Sequence, residues 1–271
     1  MANSVSRSAE IYNASLSRRE VRLLSDWERE RRRTVTIEDL RSAVGAAIAP
    51  RVAHQLVRKG ALQRLRPGSY LIRPLRALAR ASEPSTPVLV EALLGEERHY
   101  LGGLWAISLH GFSEQRYAAV VDAFVTHRLA SRTLGAGRVR FHALPKHAFE
   151  YGVTTAEIEG IAVHVSDPER TLLDALDHPR IFGGIARALE IAHEHLAGLD
   201  AKRLVQYAVK GARSSTCQRL GVLLERAQLS AKALAPLRSK ARSTRSLLSM
   251  DPDAPRGGPV NKRWNVVEND R

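Results

Sequence analysis

Several residue sets in this chain have the types that chemistry needs, and their spacing decides which of them can work together. His193-Glu194-His195, with Glu190 three residues before His193, has the composition of a metal site. On one helix Glu190 and His193 share a face. A carboxylate-bridged site, however, needs a second such pair from another helix, and the sequence offers none. A helix turns about 100° per residue, so His193 and His195 point about 200° apart and cannot both bind one ion. These read as surface histidines. His142 and His147 flank Pro145, with Glu150 nearby. One of them could serve as a general base, but no nucleophile is coupled to them in sequence. Asp167, Glu169 and Asp174 form an acidic set of the kind that holds a divalent ion in a nuclease. The lysine that would complete that pattern is replaced by Arg170. The single cysteine, Cys217, lies in Arg-Ser-Ser-Thr-Cys-Gln-Arg-Leu, which reads as the start of a helix and predicts a packed, inert thiol. There is no nucleophile elbow, phosphate-binding loop or dinucleotide fingerprint. Gly102-Gly103 and Gly183-Gly184 are too short to cradle a phosphate, and the first pair fits a close approach of two elements. No catalytic set, metal site or cofactor is expected.

The more coherent set is cationic. Between Pro50 and Lys59 one helical face carries Arg51, His54, Gln55 and Arg58, with Lys59 at the end and no acid among them. The opposite face carries Val52, Ala53, Leu56 and Val57. A helix that packs with one side and offers cations, an amide and an imidazole with the other suits a DNA major groove. Its surroundings support this. Thr36 can cap a preceding helix, Ile37 to Val44, with Asp39 at the third position and Gly45 ending it. Pro50 fits the first turn of the second helix, and Gly60 stops it. Ala61 to Arg66, the Pro67-Gly68 turn and Ser69 to Ile72 then read as a β-hairpin, flanked by Arg64, Arg66 and Arg73. The stretch 36–73 thus predicts a winged helix-turn-helix. Arg51, Gln55 and Arg58 are the expected base-edge contacts; His54, Lys59, Arg64, Arg66 and Arg73 are the expected phosphate or minor-groove contacts.

Charge distribution agrees. The 271 residues carry a net charge of +14. Residues 1–80 hold 17 Lys/Arg against 7 Asp/Glu, or +10, while the remainder holds 25 against 21, or +4. The excess sits around the proposed DNA-binding segment, as a polyanion-binding module requires. No apolar run approaches the roughly 18 residues that span a bilayer, and no signal peptide opens the chain, so no membrane attachment and a cytoplasmic location are expected. One cysteine allows no internal disulfide, in keeping with a reducing compartment.

Two domains are expected from the length. Met1 to Ser15 is polar and expected to be mobile. Ser17 to about Arg31 predicts a leading helix, with Ser17 and Glu20 as a capping box, Val21, Leu24 and Glu28 in one line, and Leu23 and Trp27 as an apolar pair. Leu75 to Ala81 predicts a short helical exit. The winged helix thus occupies 1–81, Ser82 to Pro87 is the linker, and 88–271 forms a second domain. In that domain Tyr100 to Leu109 predicts a buried helix. Strands are expected at 118–125, 139–144, 148–154 and 161–165. Asp167 and Pro168 should open a helix, with further helices at 184–196, 201–208, 215–228 and 230–238, and two strands at 245–250 and 263–268. The fold class is α+β, with a mixed sheet.

Several blocks together resemble the AbiEi-type antitoxins of type IV toxin–antitoxin and abortive-infection systems. They are the winged helix, Leu104-Trp-Ala-Ile-Ser-Leu-His-Gly-Phe-Ser-Glu-Gln115, Val165-Ser-Asp-Pro-Glu-Arg-Thr-Leu-Leu-Asp174, Phe182-Gly-Gly184 and Asn261-Lys-Arg-Trp-Asn-Val-Val-Glu-Asn269. Their order and spacing over nearly the whole chain carry the likeness. The resemblance implies a repressor that binds inverted repeats in double-stranded promoter DNA through the winged helix. It also implies a nucleotidyltransferase toxin as partner, countered by the carboxy-terminal domain. From the residues alone, a regulator without a toxin, a winged-helix-guided DNA-processing enzyme and an antitoxin that modifies its toxin stay open beside it.

Overall fold

The computed structural model describes residues 16–73, 75, 83–117, 119–242, 246–255 and 257–270. The chain divides into two compact units, Met1–Glu96 with Leu134–Ala136, and Glu97–Thr133 with Gly137–Arg271. The start expected to be mobile, 1–15, and all but Leu75 of the expected exit helix lie outside the described residues.

In the first unit the chain runs α1 (Arg18–Arg29), β1 (Thr34–Thr36), α2 (Ile37–Val44), α3 (Ala49–Arg58), β2 (Leu62–Arg66) and β3 (Ser69–Ile72). This is the helix–strand–helix–helix–strand–strand order of a winged helix-turn-helix. Each helix begins where its sequence allows. Ser17 and Glu20 form a reciprocal capping box on α1, and Thr36 and Asp39 form another on α2, satisfying N–H groups that would otherwise lack partners. Gly45, at φ 93°, ends α2 in a conformation that other residues avoid, and Pro50 occupies the first turn of α3. Leu24, Trp27, Leu40, Ala53, Leu56, Leu62, Tyr70 and Ile72 share one core. Burying each large apolar side chain contributes roughly 1.5–3 kcal/mol. Val21 differs from expectation: it is exposed, and Leu24 with Trp27 forms the packed line of α1.

The strand β1 was not expected. It pairs antiparallel with β3, so the sheet order is β1-β3-β2. A bulge between Arg64 and Arg66 breaks the alternation of β2. The Ser82–Pro87 segment also differs from the linker reading. Thr86 and Pro87 already belong to α4 (Thr86–Leu94), an almost wholly buried helix that packs against β2 and is part of the first unit.

The second unit is built on a mixed sheet. Its strands are β4 (His99–Gly102), β5 (Val120–Val125), β6 (Arg132–Leu134), β7 (Gly137–Ala143), β8 (Val153–Ile158) and β9 (Ile161–Ser166), in the order β6-β7-β5-β4-β9-β8. β5 runs parallel to β7 and β4 parallel to β9, while β4 and β5, and β8 and β9, are antiparallel. The helix expected at 100–109 is two elements. Tyr100 to Gly102 are strand, and Gly103, at φ 66°, turns the chain into α5 (Gly103–Leu109). The glycine pair does permit a close approach: a Cβ on Gly102 would stand 2.7 Å from the Phe124 ring, and one on Gly103 would meet Asp122. The strand expected at 148–154 is replaced at its start by a 3-10 turn, Lys146–Phe149.

A helical layer follows: α6 (Pro168–Asp177), α7 (Ile185–His195), α8 (Ala201–Gly211), α9 (Ser214–Arg226) and α10 (Ala231–Ala241). Asp167 caps α6, accepting from the Arg170 N–H at 2.7 Å. Leu172, Leu176, Leu189, Leu204, Leu220 and Leu237 meet in one large core. A small sheet ends the chain, β10 (Leu248–Ser249), β11 (Val260–Asn261) and β12 (Val266–Val267), ordered β10-β12-β11. Trp264 fastens it: its indole covers Gly221 and donates to Glu225 at 2.8 Å.

Candidate nucleic-acid interface

On α3 the buried residues are Ala49, Ala53 and Leu56. Arg51, His54 and Arg58 are exposed on the opposite side. At spacings of i, i+3 and i+7 they fall within about 60° of one another. Arg64 and Arg66 are exposed on β2, next to the Pro67-Gly68 turn. Among the described residues none of these four arginines forms an ion pair. The acids between Ser17 and Arg73 are engaged elsewhere. Asp26 holds Arg29, Glu38 holds Arg41, and Glu30 and Asp39 both hold Arg32. The outward side of α3 therefore keeps its positive charge uncompensated, which is the electrostatic condition for a polyanion.

Two of the expected contacts are corrected by their surroundings. Lys59 donates from Nζ to both carboxylate oxygens of Glu20, at 2.9 and 2.6 Å, and its charge is neutralised inside the unit. Burial alone would raise the Glu20 carboxyl. Hydrogen bonds from Lys59 and Ser17 outweigh it and hold Glu20 below its ordinary value. Arg73 is buried, at 9% exposure. The chain leaving β3 runs back past Ala61, whose carbonyl accepts the Arg73 N–H at 3.0 Å, so this arginine leaves the wing for the body of the unit. Gln55 is intermediate. It is half-buried, and it lines a groove with Arg19, Glu20, Val44 and Lys59 on the side toward α1. The surface left standing is Arg51, His54 and Arg58 with Arg64 and Arg66, and Gln55 at its margin. On α1, Arg18 and Arg22 are also exposed. Arg31 and Arg33 are exposed beyond its end, whereas Arg32 is held by its two acids.

The acidic and histidine sets of the second unit meet different ends. Arg170 is 2% exposed. It donates to Asp174 at 2.7 Å, to the Tyr100 hydroxyl at 2.9 Å and to the Ala148 carbonyl at 2.9 Å, and lies 4.3 Å from the centre of the Tyr151 ring. Tyr100 donates to the other Asp174 oxygen at 2.8 Å. Burial works against the guanidinium charge, but the Asp174 carboxylate more than restores it, so Arg170 stays charged. Burial and the same carboxylate push the Tyr100 hydroxyl well up. Asp167 accepts from Arg203 at 2.5 Å and Tyr207 at 2.9 Å, and Glu169 lies 3.2 Å from Arg203. All three carboxylates are thus bound to arginines, and the block works as architecture. His193 meets Asp270 at 3.2 Å, His195 stacks on Phe112 at 4.8 Å, and Glu190 pairs with Arg187. His147 and Glu150 stay exposed.

Sequence reasoning missed one cluster. Asp122, 1% exposed, accepts two bonds from Arg140 at 2.8 Å and one contact from His142 at 2.7 Å. The signal was present in two places: a lone carboxylate inside Val-Val-Asp-Ala-Phe-Val, and Arg140 and His142 two apart on a strand. The register that joins them, Asp122 opposite Arg140 and Phe124 opposite His142, is not written in either strand.

Comparison with known proteins adds two findings. Residues 101–226 match the family model of the AbiEi antitoxin C-terminal domain. The crystal structure of the RV2827C protein from Mycobacterium tuberculosis is similar over 93% of this chain and 92% of that one, with a TM-score of 0.62 and 17% identity. At that identity the likeness shows the fold. No curated protein matches the chain. No helix among the described residues is long and apolar enough to cross a membrane.

Proposed function

The chain belongs to the AbiEi antitoxin family, and from that premise we propose that it is a DNA-binding antitoxin that represses its own operon and counters a nucleotidyltransferase toxin. The family is not an enzyme class, and the acidic set Asp167, Glu169 and Asp174 is engaged with arginines, which supports a binding role. The observation that carries the DNA reading is the α3 face: Arg51, His54 and Arg58 exposed, free of carboxylates, beside Arg64 and Arg66 on the wing. Helix and hairpin then divide the work as in other winged helices, α3 reading base edges in the major groove and the wing holding phosphates. Inverted repeats in the promoter are the expected target. The second unit, which carries the family match, is the part proposed to act against the toxin.

The test is protection of the chain's own promoter, followed by salt titration. The parent should protect an inverted repeat. Arg66→Ala should weaken binding to all sequences alike and lower the salt slope by about one unit, since one phosphate contact is lost. Equal protection by the parent and an Arg51→Ala, Arg58→Ala double variant would show that α3 is not the reading helix. For the antitoxin part, the chain is co-expressed with a nucleotidyltransferase encoded beside it. Growth should be rescued by the full chain and not by residues 1–96, a cut that keeps α4 over β2.

A further inference from the structure

A cavity of about 490 Å³ opens in the second unit, at the carboxyl ends of the parallel strands β5 and β7. Its walls include Phe124, Phe141 and Leu129, and its polar groups are Arg128, His142 and His178. Open α/β sheets bind ligands beyond the carboxyl ends of their strands, and small-molecule sites of this volume are commonly apolar with a few polar groups.

The polar groups are of one kind, and carboxylates behind the two imidazoles hold them: Asp122 lies 2.7 Å from His142 Nε2 and Asp177 3.5 Å from His178 Nε2. His142 is held by Asp122, whose carboxylate is also clamped by Nε and Nη2 of Arg140. The Asp122 charge is therefore spent before it can face the cavity. Asp177, beside His178, is likewise engaged by Thr216 at 2.5 Å and by Arg213. His178 and His142 stand at 6.2 and 5.3 Å from the Phe124 ring centre. Arg128 is exposed at the mouth and makes no ion pair among the described residues. No carboxylate lines the space. A cation would find no carboxylate on the walls here, and a purely apolar guest would leave the Arg128 guanidinium unanswered. The volume greatly exceeds what a lone inorganic anion needs.

We propose that this cavity is a binding site for a phosphate monoester carried on a planar ring body of about mononucleotide size, with Arg128, His142 and His178 on the phosphate and the phenylalanine walls against the ring. Arg128 supplies the forked donor that fits phosphate oxygens, and the imidazoles supply N–H donors behind it. Nothing in this reading depends on DNA binding, which uses the other unit.

The probes are adenosine monophosphate and 1-naphthyl phosphate, with adenosine and inorganic phosphate as the separated halves, titrated calorimetrically into the full chain without DNA. Both esters should bind, and each half should bind about tenfold or more weakly than its ester. A tighter adenosine monophosphate identifies a nucleotide as the natural source; a tighter naphthyl ester identifies an aryl phosphate; either supports the class. Arg128→Ala should weaken both esters about tenfold, and Leu129→Glu, which sets a carboxylate in the wall, should abolish binding. Both side chains have solvent access, so the thermal unfolding of these variants should match the parent. Arg58→Ala should bind the esters as the parent does. Inorganic phosphate binding as tightly as the esters overturns the proposal. So do esters that give no heat at millimolar concentration, cavity variants that bind like the parent, or an Arg58→Ala variant that loses the esters.

Discussion

Arginines at two places in the molecule, the α3 face with its wing and the start of α6, are used in opposite ways. On α3 and the wing, Arg51, Arg58, Arg64 and Arg66 are exposed and unpaired among the described residues. At the start of α6, Arg170 is buried and answered by Asp174, Tyr100 and two backbone carbonyls. The residue type is the same, and the environment reverses its role. A guanidinium in water is cheap to leave unpaired and retains its field for a ligand. One inside a protein must be matched at every donor, because an unpaired buried charge costs several kcal/mol. The first kind can recognise something outside the molecule; the second holds the molecule together.

Breaking Arg170 should therefore give the largest effect. Arg170→Met leaves Asp174 buried without its cation and should cost about 3–5 kcal/mol of stability, read from the denaturation midpoint. Arg58→Ala should leave that midpoint within about 0.5 kcal/mol of the parent, as surface substitutions do. It should instead weaken operator binding by about 1–3 kcal/mol and relax its sequence preference. A stability loss at Arg58 comparable with that at Arg170 would erase the distinction between the two sites.

The same contrast explains what could be read from the sequence. The α3 face was legible because it is a local pattern: one helix, one period, cations on one side and apolar residues on the other. The caps at Ser17, Thr36 and Asp167 were legible for the same reason. What escaped depends on pairing across distance. β1 is three residues long and exists because β3 lies beside it. Tyr100 to Gly102 look helical among apolar neighbours until β5 and β9 draw them into a sheet. Lys59 and Arg73 read as free cations because no acid lies near them in sequence. The partner of Lys59 lies 39 residues upstream, and the burial of Arg73 follows from the hairpin's return path past Ala61. The Asp122–Arg140–His142 cluster likewise needed the strand register. Local chemistry was visible; which charges are cancelled was not.

Lys59 lies between the two extremes, and it gives the smallest and finest test. Its ammonium is at one edge of α3 but is held by Glu20, with side chains 19% and 8% exposed. Glu20→Gln keeps the size and most of the capping geometry while removing the charge. It should cost on the order of 1 kcal/mol at neutral pH. The Glu20 carboxyl is held below its ordinary value of about 4.5, so its charged form favours the fold. That contribution is complete above the ordinary value and is lost as pH falls through the lowered folded value. The stability gap between parent and variant should thus close in acid, and a gap that persists there would rule out the charge as its source. The variant also releases Lys59. If cancellation by Glu20 is all that separates Lys59 from Arg58, the salt slope of DNA binding should steepen by up to about one unit. An unchanged slope with the stability loss present would place Lys59 out of reach of the phosphates whatever its charge, and narrow the interface to Arg51, His54, Arg58 and the wing.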